Sequence, residues 1–102
     1  MGIVITIMSG CEDGRKFEFD KDSVVIGRHP EDDVPLPYEG RVSRHHARVK
    51  GSGSSYTLED LGPEGKGSTN GTYINNKRTS IAHLSPGELI SLGGIWIKFE
   101  TK

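Results

Sequence analysis

The sequence has 102 residues, of which 32% are hydrophobic and 26% charged, and its net charge at pH 7 is −1. This length predicts a single domain over residues 1–102, and the balanced charge excludes the strongly basic surface of a general nucleic-acid-binding protein. The single cysteine, Cys11, excludes an intrachain disulfide and a cysteine-rich zinc site. No apolar run approaches the roughly 20 residues of a membrane helix, and the first residues lack a secretory signal. We therefore expect a cytoplasmic protein that binds neither nucleic acid nor membranes.

Short runs of alternating or β-branched residues recur along the whole chain and predict strands. In chain order these runs cover residues 3–8, 16–19, 23–26, 46–50, 56–60, 72–74, 88–92 and 95–99. Turn-forming pairs such as Asn75-Asn76 and Pro86-Gly87 separate them. No longer segment has the 3.6-residue period of a helix. The predicted fold class is therefore all-β, a β-sandwich of short strands.

Two stretches, residues 28–44 and 61–71, interrupt this rhythm, and loops of this kind often carry the binding groups of a rigid scaffold. Arg28 opens the first stretch, and residues 41–50 hold four Lys+Arg, two His and no acid. The second stretch leads into the Gly-Ser-Thr-Asn-Gly-Thr motif of residues 67–72. Guanidinium groups match phosphate oxygens, and hydroxyls and loop amides complete anion sites. If the loops meet at one end, they form a site that binds a phosphate monoester rather than reacting with it.

This combination resembles the forkhead-associated (FHA) domain, a family of modules that bind phosphothreonine peptides. The resemblance depends on four motifs in order: Gly27-Arg28, Ser43-Arg44-His45-His46-Ala47, residues 56–61, and Ser68-Thr69-Asn70-Gly71-Thr72. Each motif alone is common, whereas their joint order is specific and covers nearly the whole chain. The resemblance implies an eleven-stranded β-sandwich with its binding loops at one end, which agrees with the predicted strands.

The resemblance also implies a role for individual residues. Arg28 grips the phosphate, Ser43 donates its hydroxyl and its amide to it, and Arg44 supports it. Thr69 contacts the region of the phosphothreonine, and Asn70 holds the main chain of the peptide extended. Four further residues shape the loops: Gly27, His46, Gly71 and Thr72. Of these, His46 ties the loops together by hydrogen bonds and does not touch the ligand.

One segment departs from the family pattern. Residues 62–67 form a Gly-rich insertion before the Ser-Thr-Asn-Gly-Thr motif, which brings Lys66 towards the candidate site and makes the placement of Thr69 less definite than that of Arg28. This segment motivates an alternative function, an interaction domain of the same fold that binds its partner independently of phosphate.

The charge of the ligand explains the expected phosphate dependence. A phosphate ester carries about −1.5 to −2 charges and three acceptor oxygens, so its removal leaves Arg28 and Arg44 facing a neutral hydroxyl. The preference for threonine over serine is implied by the resemblance alone. Arg41 lies on the same loop as Ser43, and we expect it to read an acidic residue on the C-terminal side of the phosphothreonine.

Other interpretations of these residues compete with phosphate binding. Arg28 as an ordinary surface arginine and Asn70-Gly71 as a plain type I′ turn are the simplest of them. Ser43 and His46 suggest a nucleophile and its base, but no acid is placed to orient the histidine. The four histidines fit no metal-ligand spacing, and Gly65-Lys66-Gly67 lacks the glycine and hydroxyl spacing of a nucleotide-binding loop.

We therefore predict a phosphothreonine-binding module in Ser/Thr kinase signalling that has no catalytic residues, cofactor or metal. Its expected partners are phosphothreonine-containing proteins or peptides, the substrates of Ser/Thr kinases. We expect a monomeric domain of a size that is common within larger proteins.

Overall fold

The computed structural model describes residues 2–52, 55–61 and 71–102 of the chain. These residues form eleven strands and no helix, hence none long and apolar enough to cross a membrane. The strands are β1 (Ile3–Ile7), β2 (Lys16–Phe19), β3 (Ser23–Gly27), β4 (Val34–Pro35), β5 (Ala47–Ser52), β6 (Ser55–Asp60), β7 (Thr72–Ile74), β8 (Lys77–Arg78), β9 (Ile81–Leu84), β10 (Leu89–Leu92) and β11 (Ile95–Thr101). The prediction of an all-β fold is confirmed.

The strands form two sheets that enclose one core. The first sheet has the order β2-β1-β11-β10-β7-β8, and the second has the order β4-β3-β5-β6-β9. Neighbouring strands are antiparallel, except that β4 runs parallel to β3. The predicted β-sandwich is therefore confirmed, and its sheets join strands that lie far apart in the sequence.

The core follows from the two-residue period of the strands. In β1, Ile3, Ile5 and Ile7 are fully buried, because alternate side chains of a strand point to the same face of the sheet. The ring of Phe99 in β11 lies 5.2 Å from the ring of Tyr56 in β6, and this contact joins the two sheets. Each large apolar residue buried in this way contributes about 1.5–3 kcal/mol.

Three short strands lack a pattern that sequence reasoning could detect. Strand β4 has two residues and ends in a proline, and both residues of β8 are exposed. In β9, Ile81 is 66% exposed although it is strongly apolar. These strands form because a neighbouring strand pairs with them, so the tertiary structure determines them.

The loop that carries Arg41 lies at one end of the sandwich, and Gly2 and Lys102 lie at the other. Arg41 packs against Gly94 in the turn between β10 and β11. At the far end of β11, the amide of Lys102 donates to the carbonyl of Gly2 over 3.1 Å. The end that carries Arg41 is therefore remote from Gly2 and Lys102.

Candidate functional site

Arg28 lies directly beside Ser43 where strand β3 ends. The amide of Arg28 donates to the carbonyl of Ser43 over 3.0 Å, and Nε of its guanidinium donates to the carbonyl of Val42 over 3.0 Å. These bonds hold an exposed guanidinium beside Ser43. We call the surface around Arg28 and Ser43 the rim. The structure thus brings together two residues that are 15 positions apart in the sequence.

Gly27 permits this close approach of the two loops. A Cβ atom on Gly27 would overlap the carbonyl oxygen of Arg44 and Oδ2 of Asp32. The amide of His29 donates to that same Arg44 carbonyl over 3.1 Å, and Gly27 itself is buried. A side chain at position 27 would therefore push the loop that carries Ser43 away from Arg28.

His46 connects the Ser43 loop with the segment that precedes β7. Its ring is fully buried. The amide of Ser43 donates to Nδ1 over 3.0 Å, and Nε2 lies 2.8 Å from the carbonyl oxygen of Gly71. Because Nδ1 accepts a hydrogen bond, the ring proton is on Nε2, which donates to the Gly71 carbonyl. One neutral imidazole therefore joins the Ser43 loop to Gly71.

The protonation of His46 follows from this burial. Burial lowers the pKa of the His46 ring below its ordinary value of 6.5, whereas the hydrogen bond to Gly71 and the nearby Asp60 carboxylate raise it. Burial is the strongest of these effects, because the charged imidazole loses its hydration. The neutral ring that both hydrogen bonds require is thereby favoured near neutral pH.

The amide of Ser43 differs from its expected role. We expected both the hydroxyl and the amide to donate to a phosphate, but the amide donates to His46 Nδ1. The half-buried Ser43 stays at the rim beside Arg28, and Arg44 is exposed on the same loop. The Ser43 amide therefore holds its loop against His46.

The start of β7 is fixed by a second polar contact. The hydroxyl of Thr72 is fully buried and donates to Oδ1 of Asp60, at the end of β6, over 3.1 Å. Gly71, just before it, has a φ of 81°, which few residues other than glycine adopt easily. The predicted positions Thr69 and Asn70, with Lys66 and the 62–67 segment, lie outside the residues that the structure describes.

The model of the FHA domain family matches residues 24–93, from strand β3 to the turn after β10. This match covers more than half of the sequence and includes Arg28, Ser43 and His46. The chain belongs to the FHA domain family. The fold and the loops just described are therefore those of an FHA domain.

Named relatives support this assignment. An oxoglutarate dehydrogenase inhibitor of Corynebacterium jeikeium is 32% identical over 94% of this chain and 62% of its own length. A structure from work on phosphothreonine-dependent FHA domain interactions aligns with a TM-score of 0.83 and 29% identity, covering 100% of this chain and 98% of the other. The FhaA FHA domain, in complex with the intracellular domain of Rv3910, gives a TM-score of 0.80 and 31% identity over 96% and 99% of the two chains. The chain spans about three fifths of the length of the curated relatives that it matches first.

Arg41 of this FHA domain lies on a flank of the rim. Its guanidinium packs against Gly94, in the turn between β10 and β11, so closely that a Cβ atom there would overlap it. The adjacent Val42 is buried against Gly93 in the same turn. Arg41 is exposed to solvent, and its expected role in reading an acidic residue stays a prediction.

A histidine and aspartate cluster beside the rim was missed by sequence reasoning. Nδ1 of His45 lies 2.7 Å from Oδ1 of Asp32, and the rings of His45 and His29 are 5.3 Å apart. The Asp32 side chain is only 5% exposed. Its contact with His45 links the loop between β3 and β4 to the loop between β4 and β5. No motif links Asp32 with His45, because they are 13 residues apart and meet only in the fold.

Proposed function

We propose that this FHA domain is a phosphothreonine-dependent protein-interaction module. The observation that carries the proposal is the rim at which Arg28 and Ser43 lie side by side, held by His46. Family membership supports it, as does the likeness to a domain studied for phosphothreonine-dependent interactions. Arg28, Ser43 and Arg44 then bind the phosphate.

The electrostatics of the rim favour an anion. Within residues 2–52, 55–61 and 71–102, neither Arg28 nor Arg44 makes an ion pair with a carboxylate, whereas Arg15 and Arg48 pair with Glu12 and Glu59. A phosphate would therefore meet guanidinium groups without having to displace a protein carboxylate. Each charge-assisted hydrogen bond that forms contributes about 1.5–3 kcal/mol.

The other predicted site residues complete the same proposal. Thr69 lies beside the phosphothreonine, and Asn70 hydrogen-bonds the main chain of the bound peptide. Gly71 follows these two residues directly in the sequence, and the contact of its carbonyl with His46 supports this assignment. Arg41 favours an acidic residue on the C-terminal side of the phosphothreonine.

The proposal includes no catalytic step and no cofactor. His46 is unsuited to act as a base for Ser43, because Nδ1 accepts from the Ser43 amide, Nε2 donates to Gly71, and the ring is buried. The match to a protein named as an inhibitor supports a regulatory role rather than an enzymatic one. Its partners are then cytoplasmic proteins that a Ser/Thr kinase has phosphorylated, since such kinases use intracellular ATP.

The test compares binding of a phosphothreonine peptide library with binding of the same library after dephosphorylation, by fluorescence anisotropy. Arg28→Ala should weaken binding at least about 100-fold, since two lost charge-assisted bonds amount to about 3 kcal/mol or more. The matched control is Arg48→Ala, which removes an arginine that pairs with Glu59 on the face of β5. This control should bind as tightly as the wild type.

Two outcomes would overturn the proposal. One is wild-type affinity in Arg28→Ala for the best phosphopeptide. The other is equal binding before and after dephosphorylation, which would support the alternative of a phosphate-independent interaction domain. An isotope-edited NMR titration with the same peptide would show whether the amide signals of Arg28, Ser43, Thr69 and Asn70 shift together.

A further inference from the structure

Arg78 occupies a defined place on the edge strand of the first sheet. Strand β8 pairs with β7 so that Arg78 faces Tyr73 across the ladder. The connecting residues, Asn75 and Asn76, have φ values of 51° and 66°, the positive values of a type I′ turn. The amide of Thr79 continues the pairing with β7. The backbone that carries Arg78 is therefore well fixed.

The Arg78 side chain extends over the loop end of β7. Tyr73 alternates with the buried Thr72 and Ile74 and so points outwards, and Arg78, its cross-strand partner, lies on the same face. A Cβ atom on Gly71 would lie 2.9 Å from Nε of Arg78 and 3.2 Å from Cε1 of Tyr73. The guanidinium thus covers the space that a side chain at position 71 would take.

Arg78 is connected with the proposed phosphate site through Gly71, which Arg78 covers. The Gly71 carbonyl accepts the hydrogen bond from His46, and His46 in turn holds the Ser43 loop. Arg78 is exposed, and in the described part of the chain it pairs with no carboxylate. An arginine that is held next to a binding loop without such a partner is available for an anion from outside.

We propose that Arg78 forms an anion subsite beside Gly71, which binds a second acidic group of the peptide, a carboxylate or a further phosphate. The subsite differs from the one predicted for Arg41. In the sheet order β11-β10-β7-β8, Arg41 packs on the β10–β11 turn and Arg78 extends from β8, on the other side of β7. A peptide that crosses this rim therefore passes the two arginines at different positions.

The subsite depends on the proposed phosphothreonine function, and its test uses a positional peptide series. Each peptide has a central phosphothreonine with neutral flanks, and one flanking position in turn carries Asp or a second phosphothreonine. Affinities are measured by anisotropy for the wild type, Arg78→Ala and Arg78→Lys. Lys77→Ala is the matched control, because it removes one positive charge from the same strand but lies opposite Ile74 instead of Tyr73.

In the wild type, one flanking position should favour the anionic peptide about tenfold, as one added charge-assisted bond would give. Arg78→Ala should lose this preference and keep the affinity for the peptide with neutral flanks. Arg78→Lys should keep part of it and Lys77→Ala all of it. Comparison of the Asp peptides with the doubly phosphorylated peptides shows which anionic group binds better. A preference for either group that is lost in Arg78→Ala supports the subsite.

The outcomes separate the two proposals. Wild-type binding that requires phosphothreonine but shows no flanking anion preference overturns the subsite alone. The subsite alone is also overturned if Arg78→Ala keeps the wild-type preference for the anionic peptide at all the flanking positions where the wild type shows one. Binding that does not depend on the central phosphate overturns the proposed function and the subsite with it. Thermal unfolding of each variant confirms that a lost preference comes from a folded protein.

Discussion

The substitution His46→Ala removes the contact that joins the two loops of the rim. In the wild type, the ring accepts from the Ser43 amide and donates to the Gly71 carbonyl, and it is fully buried. Alanine leaves both backbone groups without these partners in a region with little access to water. The loops then lose their common support, and the space of the ring stays unfilled.

The loss of stability follows from the two backbone groups that lose their hydrogen-bond partner, the Ser43 amide and the Gly71 carbonyl. A buried donor or acceptor that loses its partner costs about 1–3 kcal/mol, so the pair costs about 2–6 kcal/mol. A domain of this kind has a free energy of unfolding of about 5–15 kcal/mol. We therefore expect His46→Ala to fold with a much smaller free energy of unfolding. We also expect it to bind the phosphopeptide more weakly, because the Ser43 loop is no longer held by His46.

Urea unfolding near neutral pH measures this loss, as a lower midpoint at an unchanged denaturant slope. The control is His83→Ala, since His83 is an exposed histidine on strand β9, and its free energy of unfolding should stay within about 0.5 kcal/mol of the wild type. A loss below about 1 kcal/mol in His46→Ala would refute the reasoning, because it would show that neither hydrogen bond stabilises the fold.

Two further predictions concern the same end of the sandwich. Burial lowers the pKa of His46 in the folded state, so the stability that its neutral ring provides is present above the unfolded pKa of 6.5 and is lost as the pH falls below it. The urea midpoint of the wild type should therefore fall more between about pH 7.5 and pH 5 than that of His46→Gln, which has no titrating ring, and equal falls would contradict this. Gly27→Ala should lower the free energy of unfolding by about 1–3 kcal/mol and weaken phosphopeptide binding, because its Cβ would overlap Arg44 and Asp32. Gly40→Ala, where a Cβ would meet nothing within 4 Å, is its control, and the same loss in both variants would show that the overlap is not the cause.

Much of the fold could be predicted from the sequence because its strands have a strong local pattern. The alternating isoleucines of β1 and the aromatic and β-branched residues of β11 bury one face each, and this pattern is visible without any knowledge of neighbours. Strands β4 and β8 have only two residues each, too few for a pattern to show. Their existence depends on the strand beside them.

The sequence by itself also predicted which residues would carry the binding chemistry. Arg28, Ser43 and the Ser-Thr-Asn-Gly-Thr motif stand out because arginine, hydroxyl groups and glycine-rich turns in loops have the donors that a phosphate requires. That chemistry is a property of residue types and their order in the sequence.

Only the tertiary structure decided how these residues are held and which others join them. The Ser43 amide donates to His46, Asp32 meets His45 across 13 residues, and Arg78 extends over Gly71. The physical reason is that hydrogen bonds and close contacts depend on distances of a few ångströms. Those distances are set by the pairing and packing of strands that are remote in the sequence.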